Sequence, residues 1–247
     1  MTESASSEEP WYRTAFGSHY RKLYATRDDA AGAEEAAFVF KAVDGFAGCL
    51  WLDAACGDGR HAVALQALGA HVTGFDLSPD LLDAAAKRGL PRLIEADIRR
   101  PPFGPSTFDV VSLFFTSFGY FDDDVNRDVL VGLARLLRPG GRLFLDLPDV
   151  AHLRRTLVPE SETKNVLGQC RARRTLTATR VEKEVEITPA DGGPLVRYVE
   201  SVRLYDHDEI RDLLCYAGLA LTATYGGYDG RNYGAGDRAL YVAKTTA

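Results

Sequence analysis

Residues 53 to 62 read DAACGDGRHA; the apolar run Cys49-Leu50-Trp51-Leu52 precedes them and Val63-Ala64-Leu65 follows. An apolar run, a glycine turn and a new apolar stretch predict a buried strand over 49–54, a tight turn on Gly57 and Gly59, and a helix over 61–68. Glycine at such a turn lets backbone amides approach a ligand with no side chain in between. Gly57, Gly59 and Ala62 also match the G-x-G-x-x-G/A spacing of dinucleotide pyrophosphate turns.

Outward from this turn, the same rhythm repeats. Strands are expected over 71–76 (HVTGFD), 92–97 (RLIEAD), 108–115 (FDVVSLFF) and 142–147 (RLFLDL). Between them, Ser78-Pro79 opens a helix over 80–88, and Asp122 to Asp124 open another that stops at Arg138-Pro139-Gly140-Gly141. Alternating strands and helices imply a parallel sheet covered on both faces. After residue 150 the pattern changes to two strand-like segments around PADGGP, where Val181, Val185 and Ile187 share one face and Glu182, Glu184 and Glu186 the other. A helix over 208–217 and strands over 219–225 and 239–244 close the chain. Ahead of the first strand, Tyr12, Phe16, Tyr20 and Tyr24 recur every four positions along a helix weakened at Gly17-Ser18, and a second helix spans 30–43.

The 247 residues carry a formal net charge of −6 with no Lys/Arg-rich run, which argues against broad contact with nucleic acid or an anionic membrane. The four cysteines show no metal or redox spacing, and the first ten residues are polar and acidic, unlike a secretory leader. A cytoplasmic protein with reduced thiols, acting as a monomer or homodimer, is expected.

Asp53 discriminates between ligands for the turn. Beside a pyrophosphate its carboxylate would be repelled, whereas the ammonium and sulfonium of S-adenosylmethionine would attract it. Asp76, ending the second strand, suits the two hydroxyls of a ribose. Asp97, ending the third, suits an adenine amino group, with Leu77 and Ile98 sandwiching the ring. The series D-x-x-x-G-x-G, V-T-G-F-D-L-S, E-A-D, F-D-V-V and L-L-R-P-G-G-R-L, in order over about residues 50–147, resembles the class I S-adenosylmethionine-dependent methyltransferases. One departure is Ala55, where that family often carries glycine.

The resemblance implies a Rossmann-like, mostly parallel seven-stranded α/β sheet with helices on both faces. It also implies an N-terminal lid helix and a small antiparallel β insertion after the fifth strand. The expected organisation is a disordered tail over 1–10 and one methyltransferase domain over 11–247, with the lid over 11–45 and a hairpin over 165–206 on the substrate side. S-adenosyl-L-methionine, leaving as S-adenosyl-L-homocysteine, is the expected cofactor, with no metal. The cofactor candidates are Tyr12, Tyr20, Arg27, Asp53, Ala54, Gly57, Gly59, Asp76, Leu77, Asp97, Ile98 and Phe115. The N-terminal stripe has two open readings: a lid over the cofactor, or simple packing on the sheet.

The segment LFFTSFGYFDDD lacks the Asn/Asp-Pro-Pro-aromatic motif of nucleic-acid amino methyltransferases and a ligating acid at the strand end. Phe118, Tyr120, Asp149, His152, Arg203 and Tyr228 are the candidates for a small-molecule pocket, and Asp122 to Asp124 read as helix-capping acids. The N-terminal stripe together with FTSFGYF and the late YGGYDG resembles a bacterial branch acting on small molecules, which implies methylation at O, N or C, placed in specialised metabolism. No residue stands out as a general base. Two other readings remain: a nicotinamide oxidoreductase, or a methyltransferase fold turned to another reaction such as cyclisation.

Overall fold

In the computed structural model, which describes residues 10–17, 29–165 and 168–246, two sheets are present. The larger contains β1 (Leu50–Ala54), β2 (His71–Asp76), β3 (Leu93–Glu95), β4 (Phe108–Leu113), β5 (Leu137–Pro148), β10 (Leu219–Tyr225) and β11 (Arg238–Thr245). Its order is β10-β11-β5-β4-β1-β2-β3, and β11 alone runs against its two neighbours. This is the expected mostly parallel, seven-stranded Rossmann-like α/β sheet. The order reverses between β1 and β4, so their carboxyl ends form the crevice where ligands of such sheets bind.

Both faces are covered. On one, Val129, Leu130 and Leu133 of α5 (Asp123–Arg135) and Ile210 and Leu214 of α7 (His207–Tyr216) pack on Leu52, Val111, Leu113, Leu143 and Leu145. On the other, α2 (Asp29–Ala42) and α3 (Arg60–Ala67) bring Ala36, Val39, Ala62 and Leu65 onto Trp51, Val72, Val110 and Phe144. Alternate residues of one strand thus serve opposite layers, as the pleat requires. The helix starts carry the caps that the sequence announced. Ser78 Oγ accepts from Leu81 N at 3.3 Å ahead of α4 (Pro79–Lys87), and Asp122 accepts from Val125 N at 2.8 Å ahead of α5. Asp206 and Glu209 close a capping box on α7. Of the neighbouring acids, Asp123 pairs with Arg203 and Asp124 with Arg127. No helix among the described residues is long and apolar enough to cross a membrane.

Two expectations are corrected. The hairpin expected over 165–206 is a four-stranded antiparallel sheet of β6 (Glu160–Asn165), β7 (Gly168–Leu176), β8 (Arg180–Pro189) and β9 (Val196–Arg203), entered through α6 (Val150–Thr156). The inward positions of β7 are Gly168, Cys170 and Ala172, too small to register as a hydrophobic alternation, and β6 is wholly polar. The Arg138–Gly141 stretch, expected as a helix stop, belongs to β5 as a bulge between the pairs Phe108–Leu137 and Val110–Arg142. The N-terminal helix, α1 (Trp11–Ala15), ends in a turn at Phe16, just ahead of the Gly17-Ser18 weak point read from the sequence. Its Ala15 and Trp11 pack on Cys170, Val185, Ile187 and Tyr198 of the smaller sheet. Residues 1–9, most of the expected tail, and Tyr20, Tyr24 and Arg27 lie outside the described residues.

Candidate active site

The turn after β1 opens on a cavity of about 620 Å3. Its floor is assembled from backbone. Ala55 takes a left-handed φ of 55°, so the position where glycine is usual tolerates its Cβ at a cost of about 1–2 kcal/mol. Gly57 (φ 55°) has open space where a Cβ would stand, so its backbone faces the cavity directly. Gly59 differs: a Cβ there would meet Leu90 Cδ1 at 2.5 Å and Ala85 Cβ at 2.9 Å. It is a packing glycine between α3 and α4, and the cofactor contact expected of it is corrected accordingly.

Two carboxyls face this floor, Asp53 buried and Asp76 partly buried. Asp53, 2 % exposed, accepts from Ser112 Oγ at 3.1 Å. Burial pushes its pKa up to about 7, against the downward pull of the Ser112 bond. Asp76 accepts from Gly57 N and Ser78 N, both at 2.9 Å. Burial raises its pKa too, while those amides pull it down. At the far rim Asp97 is gripped by Arg99, whose Nη2 lies 2.6 Å from Oδ2, and this bond holds Asp97 below the usual carboxylate range. Leu77 and Ile98 line the wall between.

The opposite wall is aromatic. β4 was expected to reach Phe115; it stops at Leu113 because Phe115 and Thr116 adopt left-handed φ values of 51° and 60°. Asp146, fully buried on β5, holds that strained pair. Its Oδ2 accepts from Phe115 N at 2.7 Å, and its backbone oxygen from Thr116 N at 3.0 Å. Tyr228 OH and Arg238 Nε complete the carboxylate's shell, each at 2.7 Å. Phe115 thereby faces the cavity with Phe114, Ser117, Tyr120 and Phe121, and Tyr12 and Phe16 arrive from the α1 region. Tyr120 lies 5.9 Å from Phe16, and Phe121 lies 5.6 Å from Tyr12. His61, on the first turn of α3, stacks 4.0 Å from Phe114 and bonds Glu35 Oε2 at 2.7 Å. Burial holds its pKa below the ordinary value.

Of the sequence candidates, the cavity brings together Tyr12, Asp53, Gly57, Asp76, Leu77, Asp97, Ile98, Phe115 and Tyr120. Several others it does not, and these are corrections. Ala54 is fully buried within β1, and Phe118 packs on Tyr205. Asp149 caps α6, accepting from the His152 backbone N at 2.7 Å, and neither residue lines the cavity. Arg203 is paired with Asp123 and Glu209, and Tyr228 serves Asp146 beneath the wall. Sequence reasoning missed His61, Glu35 and Asp146. The last had a signal: an acid interrupting the apolar strand LFLDLP must find buried donors.

An open sheet whose switch-point crevice holds a glycine floor, carboxyls and an aromatic wall defines a cofactor-binding protein of the Rossmann-like class. Residues 52–141 match the family model described as a methyltransferase domain. The chain is 34% identical over 198 residues to the cypemycin N-terminal methyltransferase of a Streptomyces species, covering 77% of this chain and 80% of that protein. Among solved structures, the CcbJ methyltransferase of Streptomyces caelestis matches with a TM-score of 0.77 at 21% identity, covering 95% of this chain and 99% of that one. The sugar N-methyltransferase KedS8 from Streptoalloteichus sp ATCC 53650 matches with a TM-score of 0.71 at 22% identity, covering 100% of this chain and 99% of that one. The chain belongs to the class I S-adenosylmethionine-dependent methyltransferases.

Proposed function

We propose that this enzyme methylates an amine nitrogen of a small bacterial natural product, using S-adenosylmethionine held in the cavity above the β1 turn. The observation that carries the reading is the cavity itself, which joins a cation-seeking acid, an open glycine floor and an aromatic wall in one space. The residues present fit the cofactor. Asp53, a carboxyl buried with a raised pKa, gains an ionic partner from the methionyl ammonium. Gly57 leaves room where any side chain would intrude. Asp76 keeps lone pairs for ribose hydroxyls beyond its two backbone amides, and Leu77 and Ile98 flank the place of the adenine ring, whose amino group would share the Asp97 carboxylate with Arg99.

When bound, the cofactor supplies a methyl on a cationic sulfonium, which an acceptor lone pair displaces in line. This chain's residues bind, orient and exclude water. Tyr12, Phe16, Phe115, Tyr120 and Phe121 line the cavity, and such ring faces favour the positive charge that develops on a neutral amine nitrogen as it takes the methyl, and the charged product. A nitrogen acceptor loses its proton to solvent without a dedicated base when its pKa lies near neutrality. The nitrogen assignment is further supported by the relatives: one acts at the cypemycin N-terminus and another is a sugar N-methyltransferase. In this reading α1 serves as a lid, and the smaller sheet covers the substrate side.

The test incubates the enzyme with S-adenosylmethionine and paired acceptors: amino sugars and peptides with free N-termini against their hydroxyl counterparts. Mass spectrometry should find a gain of one methyl on the amines only. Methylation confined to hydroxyl or carbon acceptors would overturn the nitrogen assignment.

A further inference from the structure

Arg180 is the first residue of β8, and its guanidinium does not line the cavity. It reaches instead to the back of the loop that follows β4. Nη1 donates to Phe121 O at 3.0 Å, and Nη2 to Gly119 O and Tyr120 O, both at 3.3 Å. The same group is locked onto β9, with Nε on Ser201 Oγ at 2.8 Å and Nη2 on Ser201 O at 2.9 Å. Three consecutive carbonyls converging on one point repel one another, and a cation with a broad donor fork offsets that repulsion. Phe121 O also accepts from Asn126 Nδ2 at 2.8 Å, but Arg180 alone among the described residues is recorded donating to all three. With the carbonyls turned to Arg180, the rings of Tyr120 and Phe121 take part in the cavity wall, against Trp11 at 4.9 Å, Phe16 and Tyr12.

The junction is tight elsewhere as well. Arg203 N donates to Gly119 O at 2.7 Å, and a Cβ on Gly119 (φ 100°) would stand 2.9 Å from Arg203 O. The smaller sheet and the cavity loop are therefore mechanically joined, through the Arg180 guanidinium and the Arg203 backbone amide.

We propose that Arg180 is a positioning residue for the methyltransferase site, setting the rings of Tyr120 and Phe121 from outside the cavity. The smaller sheet, none of whose residues lines the cavity, thereby acts on it through this loop. This rests on the cavity being the cofactor site, and not on which acceptor atom is methylated.

The experiment measures S-adenosylhomocysteine affinity by calorimetry, and thermal stability, for Arg180→Met, Arg180→Lys and a control, Arg154→Met. Arg154 is a surface arginine that donates to the β7–β8 turn through Ala178 O at 2.8 Å. Arg180→Met should weaken binding at least tenfold. Arg180→Lys, which keeps the charge but not the fork, should fall in between, and Arg154→Met should bind like wild type. Should Arg180→Met fail to fold, the intermediate affinity of Arg180→Lys carries the test. Wild-type affinity in folded Arg180→Met or Arg180→Lys would overturn the proposal. A failure of the wild-type protein to bind at all would instead overturn the cofactor site on which it rests.

Discussion

Replacing Asp53 by Asn should make the ligand-free protein more stable while weakening its hold on the cofactor. The carboxyl is 2 % exposed, and burial raises its pKa from 3.8 to about 7. Between those values the folded chain keeps a proton that the unfolded chain has lost. Stability therefore falls as pH rises through this window and levels off above about 7. At about 1.4 kcal/mol per unit, some three units correspond to a cost of about 4 kcal/mol at most in the folded protein at pH 8. Asparagine has nearly the same shape, still accepts from Ser112 and carries no charge. Its variant should melt several degrees above wild type at pH 8, and the difference should vanish near pH 4. Binding moves the opposite way. Loss of a charged hydrogen bond to an ammonium, worth about 1.5–3 kcal/mol, weakens S-adenosylhomocysteine by roughly 10- to 100-fold. Wild-type affinity should rise from pH 5 to 7 as Asp53 ionises, and the variant's should stay level. Melting curves and calorimetry from pH 4 to 8.5 read both. An Asn variant no more stable than wild type at pH 8, or one with the same pH profile of binding, would refute the buried-carboxylate reasoning.

The two turn glycines should respond differently. Gly57→Val should abolish S-adenosylhomocysteine binding in calorimetry yet cost only the left-handed strain of about 1–2 kcal/mol, because its Cβ enters open space. Gly59→Ala should add overpacking against Leu90 and Ala85, about 1–3 kcal/mol on top of the same strain, seen as a lower urea midpoint. Asp146→Ala should destabilise by about 3 kcal/mol in urea unfolding, since it strands Arg238 and Tyr228 and frees the strained Phe115–Thr116 pair. Asp146→Asn should lose less, as it keeps an acceptor for Phe115 N.

Periodicity and caps made most of the larger sheet legible, because a strand buried on both faces and a helix start capped by Ser78 or Asp122 leave local marks. The smaller sheet was only half legible. β8 alternates Val and Ile with Glu, whereas β7 hides its inward face in Gly168, Cys170 and Ala172, and the polar edge strand β6 gains its place from pairing alone. The floor of the site was likewise readable from Gly57 and Asp53, which share one turn, and from Asp76, because adjacent parallel strands bring their carboxyl ends together. The supports of the aromatic wall were not. Asp146 meets Phe115, Tyr228 and Arg238 across as many as 92 residues of chain, and Arg180 meets Gly119 across 61. No spacing rule joins such partners.

The sequence by itself determined the order of the strands and helices that build the larger sheet, the class of cofactor turn and the sign of the charge facing it. These follow from backbone chemistry within a few neighbouring residues. Only the tertiary structure decided which candidates share the cavity and which are spent on caps and ion pairs, as Asp149, Arg203 and Tyr228 are. A polar side chain's role depends on the partner that burial brings to it, and burial is a property of the whole fold.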